Sequence, residues 1–361
     1  MFSPGLKGVT AARTAISHID GEAGQLFYRG YEIREVASQY SFEEIAYLIW
    51  HGRLPDEKEL NDLKKALVQQ RTLSESSMSV LTALPDQMDL MSVIRTVLSA
   101  EGTSDYKWKP TISQAIRLTA LVPTIISNRM RLLNGKSLME PDSTLDHVEN
   151  YLYMLTGKHP SAAVKAALET YMILTMEHSM NASTFSARVT ASTESDLVSA
   201  VTAAIGTMKG PLHGGAPSGV IDLLNEIRTP DRAETVIRQK ITAGEKLMGF
   251  GHRVYKTHDP RSIALRDKLT ESNGADEWLD LALHTEKTAI DVLADLKPGR
   301  ALYTNVEFYA AAIMKSIDLP AELFTPTFTA SRIVGWTAHV LEQAEDNVIF
   351  RPQAEYVGEL K

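Results

Sequence analysis

A mainly α-helical chain with a small β element at its start is the fold class that the sequence predicts, on three observations. Apolar residues recur at helical spacing through most of the chain after residue 30. Strand-like runs beyond that point are few. The opening residues carry instead two short runs around an Asp-Gly pair, the chemistry of a tight turn.

Each element follows from local chemistry. Ala15 to His18 and Gln25 to Arg29 read as two strands, with Asp20-Gly21-Glu22 turning between them. Ser41 to Glu44 is a capping-box pattern opening a helix that carries Ile45, Leu48 and Ile49, and Gly52 with Pro55 closes it. Asp56 to Gln70 places Leu60, Leu63 and Leu67 on one face, with charges opposite. Met91 to Ala100 follows, then Ile112 to Leu133, which should bend or be capped near Pro123 because proline removes a helical donor. Ala162 to Met176, Leu197 to Met208, Ser218 to Ile227 and Asp231 to Thr242 continue the helical pattern. Arg261 to Thr270, Glu277 to Leu296, Val306 to Ile317 and Thr327 to Glu345 complete it. No solenoid-like self-similarity is visible.

At 361 residues the chain has room for about two domains of roughly 150 residues each. Its 44% hydrophobic and 23% charged residues are enough for a sizeable core and argue against disorder. The absence of cysteine excludes a disulfide framework, a thiolate zinc site, an iron–sulfur cluster and a catalytic thiol. A net charge of −8 argues against a broad nucleic-acid-binding face while leaving room for a local basic pocket. Met1 to Thr10 lacks the apolar core of a signal peptide, and the richest apolar run, Phe308 to Met314, ends at Lys315. A soluble cytoplasmic protein is the expectation. The Pro- and Gly-dense stretch Gly210 to Pro217 is the best hinge between two bodies.

Four segments are unusual for helix connectors. Glu177-His178-Ser179-Met180-Asn181-Ala182-Ser183 is a polar run after an apolar helix, either a solvated terminus or a place where His178 works. Gly210-Pro211-Leu212-His213-Gly214-Gly215 has the outer glycine spacing of a phosphate loop, but Ala216-Pro217 stands where Lys-Ser/Thr is required. It reads as a stiff loop presenting His213 to a ligand, or as a helix–helix turn whose histidine is incidental. Gly249 to Arg261 gathers two histidines, two arginines and a lysine, a local positive site suited to carboxylates or phosphates. In Leu302 to Tyr309 a single carboxylate, Glu307, sits among apolar neighbours at a helix start. It either complements the helix dipole or acts as a base tuned by its surroundings. His178, His213 and His252 lie 35 and 39 residues apart, without local metal-ligand spacing, and no Gly-x-Ser-x-Gly elbow is present.

At these four segments the sequence resembles the citrate synthase family. Gly-aromatic-Gly-His followed by Asp-Pro-Arg runs from Gly249 to Arg261, Gly210-Pro-Leu-His213-Gly is a second block, and Asn305-Val-Glu307 stands where the family has Asn-Val-Asp. The similarity extends from Gly5-Leu-Lys-Gly8 to Phe350-Arg-Pro352. It implies a citrate-synthase-like two-domain helical fold, with residues 1–216 plus 313–361 forming a large domain. Residues 217–312 would form a small domain closing over the cleft, in a homodimer.

The reaction implied is condensation of acetyl-CoA, a co-substrate rather than a tightly bound cofactor, with oxaloacetate, followed by hydrolysis of citryl-CoA. The resemblance makes Glu307 the base, His213 the hydrogen-bond donor to the enolate oxygen, and His252 the group polarising the oxaloacetate carbonyl. It makes Arg261, Arg332 and Arg351 the carboxylate clamp, the last from the other subunit, with His178 a further oxaloacetate contact. Lys256 and Arg300 stand like CoA phosphate contacts, less specifically matched than the others. No metal, nucleic acid or membrane partner is implied. The alternatives are 2-methylcitrate synthase using propionyl-CoA, whose catalytic blocks read alike, a citryl-CoA-cleaving lyase, and a non-catalytic helical scaffold. One departure stands out. Glu307 is one methylene longer than the family's aspartate, and a ~1 Å misplacement of a catalytic group can cost on the order of a hundredfold in rate. Activity is expected to survive but to be low with acetyl-CoA, or the site to favour another acyl-CoA.

Overall fold

The computed structural model describes residues 2–214, 217–252, 254–272, 277–300 and 302–360. A three-stranded antiparallel sheet opens the chain: β1 (Ser17–Asp20), β2 (Gln25–Tyr28) and β3 (Tyr31–Glu32), with Ser17 opposite Tyr28 and Phe27 opposite Glu32. Helices follow as α1 (Ile33–Gln39), α2 (Phe42–His51), α3 (Glu57–Gln69), α4 (Glu75–Ala83) and α5 (Leu90–Ser99). Next come α6 (Ile112–Leu133), α7 (His147–Thr156), α8 (Ala162–Thr175), α9 (Ala182–Ser192), α10 (Leu197–Met208) and α11 (Pro217–Ile227). The series ends with α12 (Ala233–Thr242), α13 (Pro260–Ser272), α14 (Glu277–Leu296), α15 (Val306–Ser316) and α16 (Phe324–Glu345). The fold is mainly α with a small N-terminal sheet, as the periodicity predicts.

Capping explains where the helices begin. Ser41 and Glu44 form the reciprocal capping box on α2, and Asp56/Glu59, Thr111/Gln114 and Asp146/Glu149 repeat it on α3, α6 and α7. Each box satisfies two backbone donors that would otherwise face no partner, an effect of about 1 kcal/mol per N-cap. Gly52 closes α2 in the left-handed conformation, its N–H donating to Leu48. Helix α6 runs on through Pro123 and is not capped there. Pro123 lies in a stretch buried on all sides, from Leu118 to Arg129, where packing outweighs the one lost hydrogen bond.

At the centre lies α16, buried almost all round from Phe324 to Ala344. It packs on α2, α6, α8, α9 and α10. Its polar residues are accommodated by back-bonding: Thr329 and Thr337 hydroxyls donate to the carbonyls of Thr325 and Ile333. Helices α11, α12 and α14 pack on one another, while α13 and α15 pair and both lie on α8, with α13 also touching α1. Four α-helices that the periodicity does not single out are α1, α4, α7 and α9. The sheet turn also differs from the Asp-Gly expectation: Asp20 Oδ1 accepts from the backbone N–H groups of Glu22 and Ala23, and Gly24 takes the left-handed conformation.

That turn positions chemistry elsewhere. A Cβ on Gly21 would meet the Val254 carbonyl oxygen at 2.4 Å, and one on Gly24 would meet Thr257 Cγ2 at 2.6 Å. Lys256 N–H donates to the Gly21 carbonyl at 2.8 Å. The hairpin therefore braces the loop between His252 and Arg261.

Candidate active site

Two segments far apart in sequence are zipped together. Phe250 and Thr304 form an isolated antiparallel bridge, with Gly251 N–H donating to Tyr303 and Asn305 N–H to Gly249. Asn305 Nδ2 adds a bond to the Gly251 carbonyl at 3.0 Å, and its Oδ1 caps α15 by accepting from Glu307 N–H. Gly249 permits the approach: its φ is +84°, and a Cβ there would meet Phe308 Cδ2 at 2.9 Å. His252 thus lies just beyond the bridge on one strand and Glu307 on the first helical turn after the other.

Three rings meet on one side of this bridge. His178 and His252 have ring centroids 5.5 Å apart, edge to face, and Tyr255 lies 4.7 Å from His252. The Tyr255 hydroxyl is 3.1 Å from His178 Nε2. His252 Nδ1 accepts from the backbone N–H groups of Val254 and Tyr255, so in the neutral ring the proton sits on Nε2. Burial, reinforced by Arg261, pushes His252 down to about 4, so the neutral ring is the form at pH 7. His178 is driven well below its ordinary value by burial, with Arg261, His252 and Arg332 adding to the effect.

Two guanidiniums are buried beside the histidines. Arg261 Nε and Nη2 donate to Asp259 at 3.0 and 2.8 Å, and Asp259 Oδ2 also accepts from Val306 N–H at 3.2 Å. Burial alone would lower Arg261, but the paired Asp259 carboxylate lifts it above its ordinary value. Arg332 Nε donates to the Thr175 carbonyl at 2.7 Å, with Cζ 4.7 Å from the Phe328 ring centroid. Burial lowers it to about 10, with Glu177 acting in the opposite sense. Among the described residues, Arg261 Nη1 and both Nη groups of Arg332 have no protein acceptor. These donors suit carboxylate oxygens brought by a ligand.

His213 enters through a different contact. Its Nε2 lies 2.7 Å from Ser183 Oγ, which is 2.8 Å from Asn181 Oδ1 and accepts from Trp336 Nε1 at 3.0 Å. Burial and then Arg332 lower His213 to about 4. Glu307 has the opposite shift: burial raises its carboxyl, and Lys246 and Arg261 only partly offset it. The arrangement comprises a carboxylate of raised basicity, three neutral imidazoles and two guanidiniums with unused donors.

The remaining predicted residues stand apart. Lys256 and Arg300 are exposed, and Arg351 lies exposed on the irregular segment after α16, its Nη1 3.4 Å from the Pro352 carbonyl. Gly215, Ala216 and Arg253, parts of the two predicted loop motifs, lie outside the described residues. Ser183, Tyr255 and Asp259 fall inside segments the sequence already marks, whereas Trp336, 153 residues from Ser183, carries no local signal.

Comparison with known proteins gives this histidine-rich site its class. The family model described as citrate synthase, C-terminal domain, matches residues 5–353. A citrate synthase of Haloferax volcanii is 39% identical over 98% of this chain and 95% of its own length. A 2-methylcitrate synthase of Mycobacterium tuberculosis is 38% identical over 98% and 90% of the two chains. A solved citrate synthase of Thermoplasma acidophilum, in ternary complex with carboxymethyl coenzyme A and oxaloacetate, has a TM-score of 0.91 at 31% identity. That similarity covers 100% of this chain and 97% of the other. The chain belongs to the citrate synthase family, whose enzymes are acyltransferases.

Proposed function

We propose that the protein condenses acetyl-CoA with oxaloacetate and hydrolyses the resulting citryl-CoA to citrate and CoA. The observation that carries this reading is His252. Its Nδ1 is occupied by two backbone donors and its basicity suppressed, so it offers a neutral Nε2–H to a ketone oxygen. Beside it, the free guanidinium donors of Arg261 and Arg332 match the carboxylates of a dicarboxylic keto acid.

The acyl methyl is a very weak acid and needs a base together with a partner for the enolate oxygen. Glu307 is the base, and its raised basicity serves that role. His213 donates to the enolate oxygen through Nδ1–H. That tautomer requires the single Ser183 proton to go to His213 Nε2 rather than to Asn181 Oδ1. The nucleophilic carbon then attacks the carbonyl that His252 polarises. His178, held by Tyr255, is a further oxaloacetate contact.

Residues 217–312 act as the small domain, closing over the cleft to exclude water, with 1–216 and 313–361 forming the large one. The mutual packing of α11, α12 and α14 supports this division. In a homodimer the exposed Arg351 completes the clamp of the neighbouring subunit, while Lys256 and Arg300 meet the phosphates of CoA. No helix among the described residues is long and apolar enough to cross a membrane, which fits a soluble, cytoplasmic enzyme.

A second reading, 2-methylcitrate synthesis from propionyl-CoA, is favoured by the Mycobacterium tuberculosis relative, whose identity of 38% nearly equals the 39% of the Haloferax one. Release of CoA thiol from acetyl-CoA and propionyl-CoA, with and without oxaloacetate, decides. Oxaloacetate-dependent release is expected, its faster substrate naming the acyl group. No release under any condition sinks the synthase reading.

A further inference from the structure

We infer that Glu286, on the buried face of α14, is a positioning residue that fixes where the Glu307 carboxylate sits. Glu286 Oε1 accepts from the Thr304 hydroxyl at 2.5 Å, and Oε2 accepts from the Tyr309 hydroxyl at 2.5 Å. These donors bracket the segment that carries Glu307: Thr304 is the bridge partner of Phe250, and Tyr309 lies on the first turns of α15. One carboxylate from another helix thus clamps both ends of the short stretch from bridge to base. Glu286 is only 9% exposed, and Arg266 of α13 brings its Nη1 to 3.7 Å from Oε2. Side-chain oxygens spent on two hydroxyls, in a buried setting, hold their partners more rigidly than a solvated contact could.

The consequence concerns the base specifically. Asn305 and Asp259 hold α15 through backbone N–H groups of its first two residues, and the bridge aligns the strand before it. Tyr309 follows Glu307 by two positions, so a tether at Tyr309 to a point outside α15 adds a side-chain constraint on the rotational setting of the turn that carries the base. The longer Glu307 side chain makes the setting matter, since its extra torsion must be confined to one productive placement. Glu286 touches neither His252, Arg261 nor Arg332 in any hydrogen bond, so oxaloacetate binding is insulated from it. The inference rests on Glu307 being the base.

Thr304→Val and Tyr309→Phe each delete one donor while keeping side-chain volume, and Glu286→Gln changes the acceptor. Each is compared with the parent for turnover, KM for oxaloacetate and solvent deuterium exchange into the acetyl-CoA methyl. Folding is checked by circular dichroism. Both hydroxyl variants should lose turnover by about 10- to 100-fold, with methyl exchange falling in step and the oxaloacetate KM within about twofold. Arg238→Ala, which breaks the exposed pair with Asp295 on the same helix α14, should keep turnover within about twofold. Turnover within twofold of the parent in both folded hydroxyl variants overturns the inference, as does an equal loss in Arg238→Ala. So does a loss of oxaloacetate affinity matching the loss of turnover. Should Glu286→Gln not fold, the two hydroxyl variants decide. Exchange retained by Glu307→Gln overturns the base assignment and this inference together. Exchange lost there but kept in both hydroxyl variants overturns this inference alone.

Discussion

Asp259 Oδ2 accepts from the Val306 backbone N–H at 3.2 Å while the same carboxylate grips Arg261 through Nε and Nη2. One buried side chain therefore orients the Arg261 guanidinium and holds the N-terminus of the helix that carries Glu307. Its negative charge also lies where the helix dipole favours it.

Removing that carboxylate should damage both functions. Asp259→Ala leaves Arg261 buried without its partner, and breaking a buried pair in this way costs about 3–5 kcal/mol of stability. Asp259→Asn keeps the shape and two acceptor sites on one oxygen, so it should fold. It should raise the KM for oxaloacetate and lower turnover at once, in contrast to the hydroxyl variants of Thr304 and Tyr309. Steady-state kinetics at saturating acyl-CoA read the two effects separately.

Glu307→Asp withdraws the carboxylate by one methylene. If the pocket is shaped for glutamate, turnover should fall by tenfold or more, the misplacement penalty expected for ~1 Å. A variant as fast as or faster than the parent would show that the pocket still fits the shorter base. Glu307→Gln should abolish methyl exchange while leaving oxaloacetate binding, measured by calorimetry, within about threefold, because the proposed carboxylate clamp is Arg261 and Arg332.

A base works in its ionised form, so the rate should fall as pH drops through the Glu307 pKa. Burial raises that pKa above the ordinary 4.5, so the acid limb of kcat should lie above that value. His213 and His252, both lowered to about 4, stay neutral across the same range and add no limb near their usual 6.5. Rate–pH profiles of the parent and of Glu307→Asp check this. The limb should move with the side chain at 307.

Ser183→Ala removes the hydrogen-bond partner of His213 Nε2 among the described residues and takes from Trp336 Nε1 its acceptor. The loss of turnover should be about tenfold or more, reflecting a ring whose tautomer is no longer fixed, with a stability cost of about 1–3 kcal/mol for the orphaned indole N–H. Thermal unfolding and kcat measured on the same preparation separate the two.

Far from the site, Glu43 is fully buried, with Oε1 accepting from His147 N–H. Burial and then Asp146 push its carboxyl up to about 7. The folded state binds this proton more tightly than the unfolded chain, whose ordinary value is 4.5, so stability falls as pH rises from there through about 7. The group's share of that fall is about 3 kcal/mol at most. Glu43→Gln, which mimics the protonated form, should flatten the difference in urea midpoint between pH 5 and pH 8.

Periodicity and capping in the sequence determined the helices whose apolar face is continuous, such as α2, α3, α14 and α15, because those signals are local. The same locality made Gly249 to Arg261 and Asn305 to Glu307 legible, since a glycine needed at a bridge and an asparagine needed at a cap leave their mark in place. Helix α9 escaped because its stripe is short and its start, Asn181, sits in a run whose polarity suggests solvent. The tertiary structure alone decided that Asn305 bonds Gly251 across 54 residues, that Trp336 and Ser183 fix the His213 ring, and that Glu286 reaches Thr304 and Tyr309. These contacts join side chains whose sequence neighbours give no hint of one another. Their strength comes from desolvation, and only the packed fold supplies that.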